Sequence, residues 1–338
     1  MIVIAPDKFK GTMDATDAAM AIALGLREAG VRDAIRLCPM ADGGDGTAEL
    51  LADRLPPDCA VVESHACIGP QCFGNAAPML RSSYAFGRAI ALALRTHSHV
   101  LAAIGGTACC DGGAGMLQAL GLKAYDADGR LIDTPLTPRL LPLVARTELP
   151  SDGLGNRLTA LSDVQASLVP SPEVALSALD FAPQKGFTAA ELPLLRSALL
   201  HWDSIVAPGR SSAIDGAGGG IGHALATVLG ADVRSGAQYM LDIYAPDFAS
   251  ASLIITGEGR IDRQTGAGKV VAAVADLAAR RGIPVLAVAG SVEGAPPFPV
   301  LAVDTPGTPP PSSRPEAMER LRAAVREYFK GKNPQPKP

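Results

Sequence analysis

The stretch Leu253 to Val271, LIITGEGRIDRQTGAGKVV, sets Glu258, Arg260, Asp262, Arg263 and Lys269 among glycines between two apolar runs. Glycine lets a backbone approach a phosphate with no Cβ in the way, and carboxylate oxygens are hard ligands for Mg²⁺ or act as bases. A site for a phosphorylated ligand and a metal would look like this, and so would a polar strand-to-helix connection. Three more turns share the composition: Asp42 to Gly46, Asp111 to Gly115, and Asp215 to Gly222. With Gly257 to Gly268 they make four, and at least two are expected to meet at one anion site. The N-terminal PDKFKGT adds Asp7, Lys8 and Lys10 just after a first apolar run. Its two lysines would neutralise a carboxylate or phosphate, or simply be solvated ahead of a helix starting near Thr12 or Asp14.

Familiar fingerprints fail on spacing. Gly268-Lys269 is preceded by Arg263 where a lysine phosphate loop needs glycine, and is followed by Val270 rather than Ser or Thr. The glycines at 216, 218, 219, 220 and 222 contain no i, i+2, i+5 triplet, which weakens a dinucleotide-binding reading. No G-x-S-x-G elbow occurs, and His65, His97, His99, His201 and His223 form no H-E-x-x-H pair. The six cysteines lack a C-x-x-C pair and read as reduced thiols, with Cys109 and Cys110 as a buried small residue beside a turn residue.

The elements that must carry these turns alternate. Strand-like runs at 2–5, 35–40, 61–63, 100–104, 253–256 and 284–289 are apolar on both faces, as in buried parallel sheets. Helical spacing falls at 14–29, 46–55, 81–95, 113–120, 190–205, 221–229 and 268–281. The alternation predicts an α/β fold with mostly parallel strands. Asp-Gly-Gly then recurs at two strand ends, Asp42 and Asp111, at the edge where open α/β sheets bind ligands. The proline-rich 131–155 reads as loop, 316–329 as a terminal helix, and 331–338 as a frayed tail.

A chain of 338 residues, 48% hydrophobic and 19% charged with net charge −4, reads as a soluble two-domain protein. That balance gives no electrostatic reason to expect nucleic acid or an acidic membrane as partner. MIVIAPDKFK lacks a signal-peptide profile and no apolar run spans a bilayer, so the expected location is cytoplasmic.

Taken in order, VIAPDKFKGT, ADGGDGT, GGTACCDGGAGMLQALG, FAPQKG, DGAGGGIG and ITGEGRIDRQT with GKV resemble the bacterial glycerate kinase family, including the type acting at the 2-hydroxyl. The resemblance implies ATP- and Mg²⁺-dependent phosphorylation of D-glycerate. It also implies a Rossmann-like domain built from both chain ends, 1–60 plus 255–330, with a second α/β domain, 61–254, inserted. Phosphoryl transfer needs Mg²⁺ on the phosphates, cations on their oxygens and a held hydroxyl. On that footing Asp262 is the first choice for the base-like residue and Asp42 the second, with Lys8 as catalytic cation. Glu258 and Asp45 are candidates for magnesium, and Lys10, Arg260 and Asp45 for the acid. Gly112, Gly113, Gly216, Gly218, Gly219, Lys269 and Lys185 would meet the nucleotide phosphates.

The sequence departs from the family pattern in places. The family is longer by a few tens of residues between Leu50 and Val61, which implies a reduced sheet in the inserted domain. Its Thr-Asn before Asp-Gly-Gly is Cys109-Cys110, its Tyr-Gly-x-Gly is Tyr84-Ala85-Phe86-Gly87, and its Phe-Gly-Pro-Gln-Lys-Gly carries Ala182. These changes keep two alternatives open: a kinase for another small hydroxy acid, and an impaired member that binds nucleotide or acid without transfer.

Overall fold

Runs of β-branched and aliphatic residues form the strands, and in the computed structural model, which describes residues 1–150, 153–162, 164–261, 270–305 and 307–330, they build an α/β fold. In chain order the strands are β1 (Ile2–Pro6), β2 (Ile35–Leu37), β3 (Cys59–Glu63), β4 (His99–Ala103), β5 (Lys123–Tyr125), β6 (Arg146–Glu148), β7 (Leu158–Leu161), β8 (Asp232–Arg234), β9 (Leu253–Ile261), β10 (Val285–Val292) and β11 (Val300–Ala302). One sheet runs β11-β10-β9-β1-β2 and a second β3-β4-β7-β8, every pairing in both being parallel. β5 and β6 make a separate antiparallel pair.

Contacts divide the chain into two units: 1–42 with 237–338, and 43–236. The expected plan crossed between domains near 60 and 255, whereas these crossings fall at 42–43 and 236–237. In the first unit β10 alternates in the manner of a strand buried on both faces. Val288 joins a core with Ile4, Ile22, Ile255 and Val325, while Ala287 and Ala289 join Ile261 and Val271 on the other side. The helices Ala15–Glu28 and Arg314–Lys330 cover the first face, and the helix Val270–Arg281 supplies Val271 to the second. Asp14 caps the first helix by accepting from Asp17 N at 2.8 Å, and Arg314 bridges to Asp14 at 3.1 Å and to Asp17.

Most of the expected strands and helices recur, with four differences, the first being that the apolar β7 and the edge strand β11 fall outside every expected strand-like run. β9 does not stop at Thr256: it continues to Ile261, pairing Glu258 with Ala289 and Arg260 with Ser291 of β10. Its glycines are therefore strand residues at a close backbone approach, since a Cβ on Gly257 would lie 2.3 Å from Val288 O. The expected loop 131–155 contains β6, and the polar three-residue strands β5 and β8 carry no apolar signal. The expected helix 221–229 appears as a π-helical turn, His223–Val228, with Leu229 N donating to Ala224 O at 3.0 Å. Among the described residues no helix is long and apolar enough to cross a membrane.

Gly25 lies where the helices Ala15–Glu28 and Arg314–Lys330 pack, and a Cβ there would come 2.5 Å from Arg322 O and 2.9 Å from Val325 Cβ. Alanine normally gains about 1 kcal/mol over glycine inside a helix. Here overpacking outweighs that gain, so Gly25→Ala is expected to destabilise by ~1–3 kcal/mol, measured as a lower urea midpoint at unchanged slope.

Candidate functional site

Strand register decides which side chains meet in the first unit. Pro6 of β1 sits opposite Gly257 of β9, so Asp7, just past the end of β1, stands level with Glu258, which β9 carries onward alongside β10. Asp7 N donates to Gly257 O at 2.8 Å, and Met40 N donates to Pro6 O at 2.9 Å, carrying the chain beyond β2 to Asp42. Three neighbouring parallel strands thus deliver three carboxylates to one edge. Asp7 and Glu258 are each only 8% exposed.

Burial pushes the Asp7 carboxyl up to about 8, and the negative charges of Asp42 and Glu258 act in the same direction. The Lys8 ammonium, together with the bond from Lys8 N to Asp7 Oδ1 at 2.7 Å, pulls the other way without winning. Asp7 is the functional candidate that the sequence reading passed over in favour of its lysine neighbours. Its signal was available: it is an acidic residue immediately after a buried parallel strand, at the ligand edge.

The other expected residues of this unit separate. Lys8 is half-buried beside Asp7, and Lys10 is exposed, its backbone packed where a Cβ on Gly259 would come within 3.3 Å. Arg260 is exposed on β9 and forms an ion pair with Glu293. Asp262 and Lys269 lie outside the described residues.

In the second unit, glycine turns pack directly on one another at the carboxyl edge of β4 and β7. Gly112 N donates to Gly219 O at 3.1 Å, and Gly105 N donates to Gly43 O at 3.2 Å. A Cβ would fall 2.3 Å from Gly112 Cα if placed on Gly220, 2.1 Å from Cys109 O if placed on Gly219, and 2.8 Å from Leu161 O if placed on Gly43. Lys185 ties this edge together. Its Nζ donates at 2.9 Å both to Thr107 Oγ1 and to Cys109 O, leaving one of the three ammonium protons. Arg81 holds the same region by donating to Lys185 O at 2.8 Å and Ala108 O at 3.2 Å.

The expected phosphate-facing amides are largely spent inside the protein. Gly113 N donates to Asp111 Oδ1 at 3.1 Å, Gly216 N to Ala166 O at 2.7 Å and Gly219 N to Gly216 O at 3.2 Å. Gly218 stands with φ +61, a Cβ there falling 3.0 Å from Ile104 O. Asp45 is exposed in the turn that leads into the helix Thr47–Leu51.

Asp111, the acid of the second Asp-Gly-Gly, is fully buried and bonded. Its carboxylate accepts from Ser83 N at 2.7 Å, Ser83 Oγ at 2.8 Å, Gly113 N and Gly115 N. Burial raises its pKa and these four donors oppose the rise. It organises the turn. Cys109 and Cys110 are both fully buried, and burial pushes their thiols up, so neither behaves as a reactive thiolate.

Two parallel α/β sheets with acidic, basic and glycine-rich turns at their carboxyl edges define a Rossmann-like α/β protein. The model of the glycerate kinase family matches residues 2–59 and 55–300, two segments that meet where the chain is expected to be short. The glycerate kinase of Halalkalibacterium halodurans is 34% identical over 330 residues, covering 86% of this chain and 85% of the relative. The glycerate 2-kinase of Escherichia coli K12 is 32% identical over 331 residues, with 86% and 85% covered. A crystal structure of a proposed glycerate kinase 2 from Salmonella typhimurium LT2 superposes with a TM-score of 0.77 at 30% identity, covering 98% of this chain and 97% of that one. The chain belongs to the glycerate kinase family.

The Asp7 site gives stability a pH dependence. Its carboxyl titrates near 3.8 when unfolded and about 8 when folded, so the stability it contributes is complete below pH 3.8 and is lost as pH rises toward about 8. In metal-free buffer Asp7→Asn is expected to be more stable than wild type at pH 8.5, on the order of a few kcal/mol, with the difference vanishing toward pH 4. Urea unfolding at both pH values measures it.

Proposed function

We propose that the protein is an ATP-dependent glycerate kinase that transfers the γ-phosphate of ATP to D-glycerate, giving 2-phosphoglycerate and ADP. The observation that carries this reading is the buried Asp7 set against Asp42 and Glu258, with Lys8 beside it, at the carboxyl edge of a parallel sheet in a chain of this family. The position of transfer follows the name of the Escherichia coli relative.

Phosphoryl transfer asks for little covalent work from side chains and much positioning. Asp7 holds its proton near neutrality, the range in which a carboxyl exchanges a proton with an acceptor hydroxyl most effectively. Lys8 keeps that carboxyl from being more basic still and offers a cation to the transferred group. Lys10, Arg260 and Asp45 remain the proposed contacts to the acid. Lys185, Lys269 and the turns at Gly112, Gly113, Gly216, Gly218 and Gly219 are the proposed contacts to the nucleotide. In those turns the missing side chains let the protein's own backbone segments pack on one another, and Lys185 supplies the charge. Asp262 is retained as a second acid-base candidate.

Hard carboxylate oxygens that repel one another suit a divalent cation, and Asp42 and Glu258 are the residues proposed to hold Mg²⁺. Among the described residues no three His, Cys, Asp or Glu side chains gather closely enough to hold an ion alone, so phosphate oxygens and water would complete its shell. When bound, Mg²⁺ neutralises charge on the phosphates. The proposed substrates are small molecules, in a cytoplasmic setting.

Incubation with Mg-ATP and D-glycerate, followed by identification of the phosphoglycerate isomer by NMR against standards, tests the reading. The expected products are 2-phosphoglycerate and ADP. Retained ATP binding with no phosphorylated acid would sink it. Asp7→Asn is expected to lower kcat by roughly 10²-fold or more, as for loss of an acid-base group. Near wild-type turnover in a folded Asp7→Asn protein would remove Asp7 from that role and return it to Asp262.

A further inference from the structure

The glycine-rich run 216–222 is pinched at its base by the two residues that flank it. His223 N donates to Asp215 O at 3.2 Å, and His223 Nδ1 stands 3.4 Å from Asp215 Oδ1. A Cβ on Gly222 would fall 1.8 Å from Ile214 O, so the two ends of the run also lie backbone on backbone. Between those ends the run meets the proposed nucleotide contacts. Gly219 O accepts from Gly112 N at 3.1 Å, and a Cβ on Gly219 would come 2.8 Å from Lys185 Nζ. All of these residues belong to the second unit.

Both ring nitrogens of His223 face carboxylates. Nδ1 faces Asp215, and Nε2 faces Asp203 Oδ1 at 3.5 Å, on the helix Leu192–Val206. The ring is fully buried, and among the described residues neither nitrogen has a hydrogen-bond partner of good geometry. A buried polar group without such a bond costs stability that an apolar side chain would not. The imidazole is therefore poor core packing, and its gain is electrostatic: an N–H aimed at a carboxylate ties two segments together. Asp215 is itself anchored, accepting from Ser212 N at 2.8 Å and from Thr227 Oγ1. Next to Asp203 on the same helix, Trp202 donates to Gly112 O at 3.2 Å, so adjacent residues of one helix fasten both glycine turns.

We propose that His223 is a positioning residue for nucleotide binding: donating from Nδ1 toward Asp215, its ring closes the base of the 216–222 turn and holds Gly219 against Gly112 and Lys185. The inference rests on the nucleotide contacts proposed above and adds the side chain that sets them. A ring that only fills the core affects stability alone. One that closes the turn affects nucleotide affinity, and the effect follows the donor at the Nδ1 position rather than side-chain volume.

The test measures Mg-ATP binding by isothermal titration calorimetry, and thermal melting, for the full chain as wild type, His223→Gln and His223→Asn. An Asn amide places its donor near the Nδ1 position and a Gln amide near the Nε2 position. His223→Gln is expected to weaken Mg-ATP binding about tenfold, the scale of one lost contact to a charged group, and to raise KM for ATP with little change in kcat. His223→Asn is expected to recover affinity to within about threefold of wild type, although its smaller side chain leaves a gap and lowers the melting temperature further. Nitrogen-15 NMR of the wild type, which needs no variant, is expected to show His223 Nδ1 protonated. Unchanged affinity in His223→Gln, a His223→Asn protein that binds no more tightly than His223→Gln, or an unprotonated Nδ1 would overturn the proposal. Failure of the wild type to bind Mg-ATP would instead overturn the nucleotide reading beneath it.

Discussion

Backbone packed on backbone, with no Cβ between, is the constraint on which the second unit's functional edge depends. Gly220 lies on Gly112, Gly105 on Gly44, and Gly43 on the Leu161 carbonyl. A methyl group at any of these positions would come within 2.9 Å of a heavy atom, closer than real side chains approach. Because the turns touch, the groups they carry are fixed relative to one another. Lys185 is held between Thr107 and Cys109, and Trp202 Nε1 donates to Gly112 O from the core below at 3.2 Å. The same constraint acts in the first unit, where Gly257 lets β9 run close to β10, while the register of β9 on β1 sets Glu258 level with Asp7.

Two buried aspartates show how surroundings divide one residue type into two roles. Asp111 meets four donors, so its charge is solvated by the protein and it serves as the organiser of a turn. Asp7 receives the Lys8 amide, and its burial, followed by the charges of Asp42 and Glu258, opposes its ionisation, so its carboxyl retains a proton near neutrality. Perturbation of the second kind, by burial beside like charges at a sheet edge, marks chemistry more than architecture. Both aspartates follow a strand in sequence. Their partners come from elsewhere in the chain.

The two segments of the family match meet near residues 55–59, and β3 begins at Cys59, soon after the five-residue helix Thr47–Leu51. The second unit keeps a four-stranded parallel sheet across that junction. Cys109 and Cys110 are buried in the second unit's core, so their side chains act on its packing.

The sequence by itself determined the alternation of strand and helix, because runs such as Ile2–Pro6 and His99–Ala103 are apolar enough to be buried on both faces and helix spacing separates them. It also located the Asp-Gly-Gly turns and the capped start at Asp14, which are local signals. It did not reveal the short strands β7 and β11, nor β5, β6 and β8, whose three residues are polar or mixed and owe their conformation to pairing partners. It read Gly257 as a bend, since glycine signals turns and close approaches alike, and only the Val288 carbonyl distinguishes them. Tertiary structure alone decided that Asp7 meets Asp42 and Glu258, that Lys185 reaches Thr107, and that His65 lies against Gly106. These are contacts between residues distant in the chain, set by strand register and burial, and neither residue type nor local spacing encodes them.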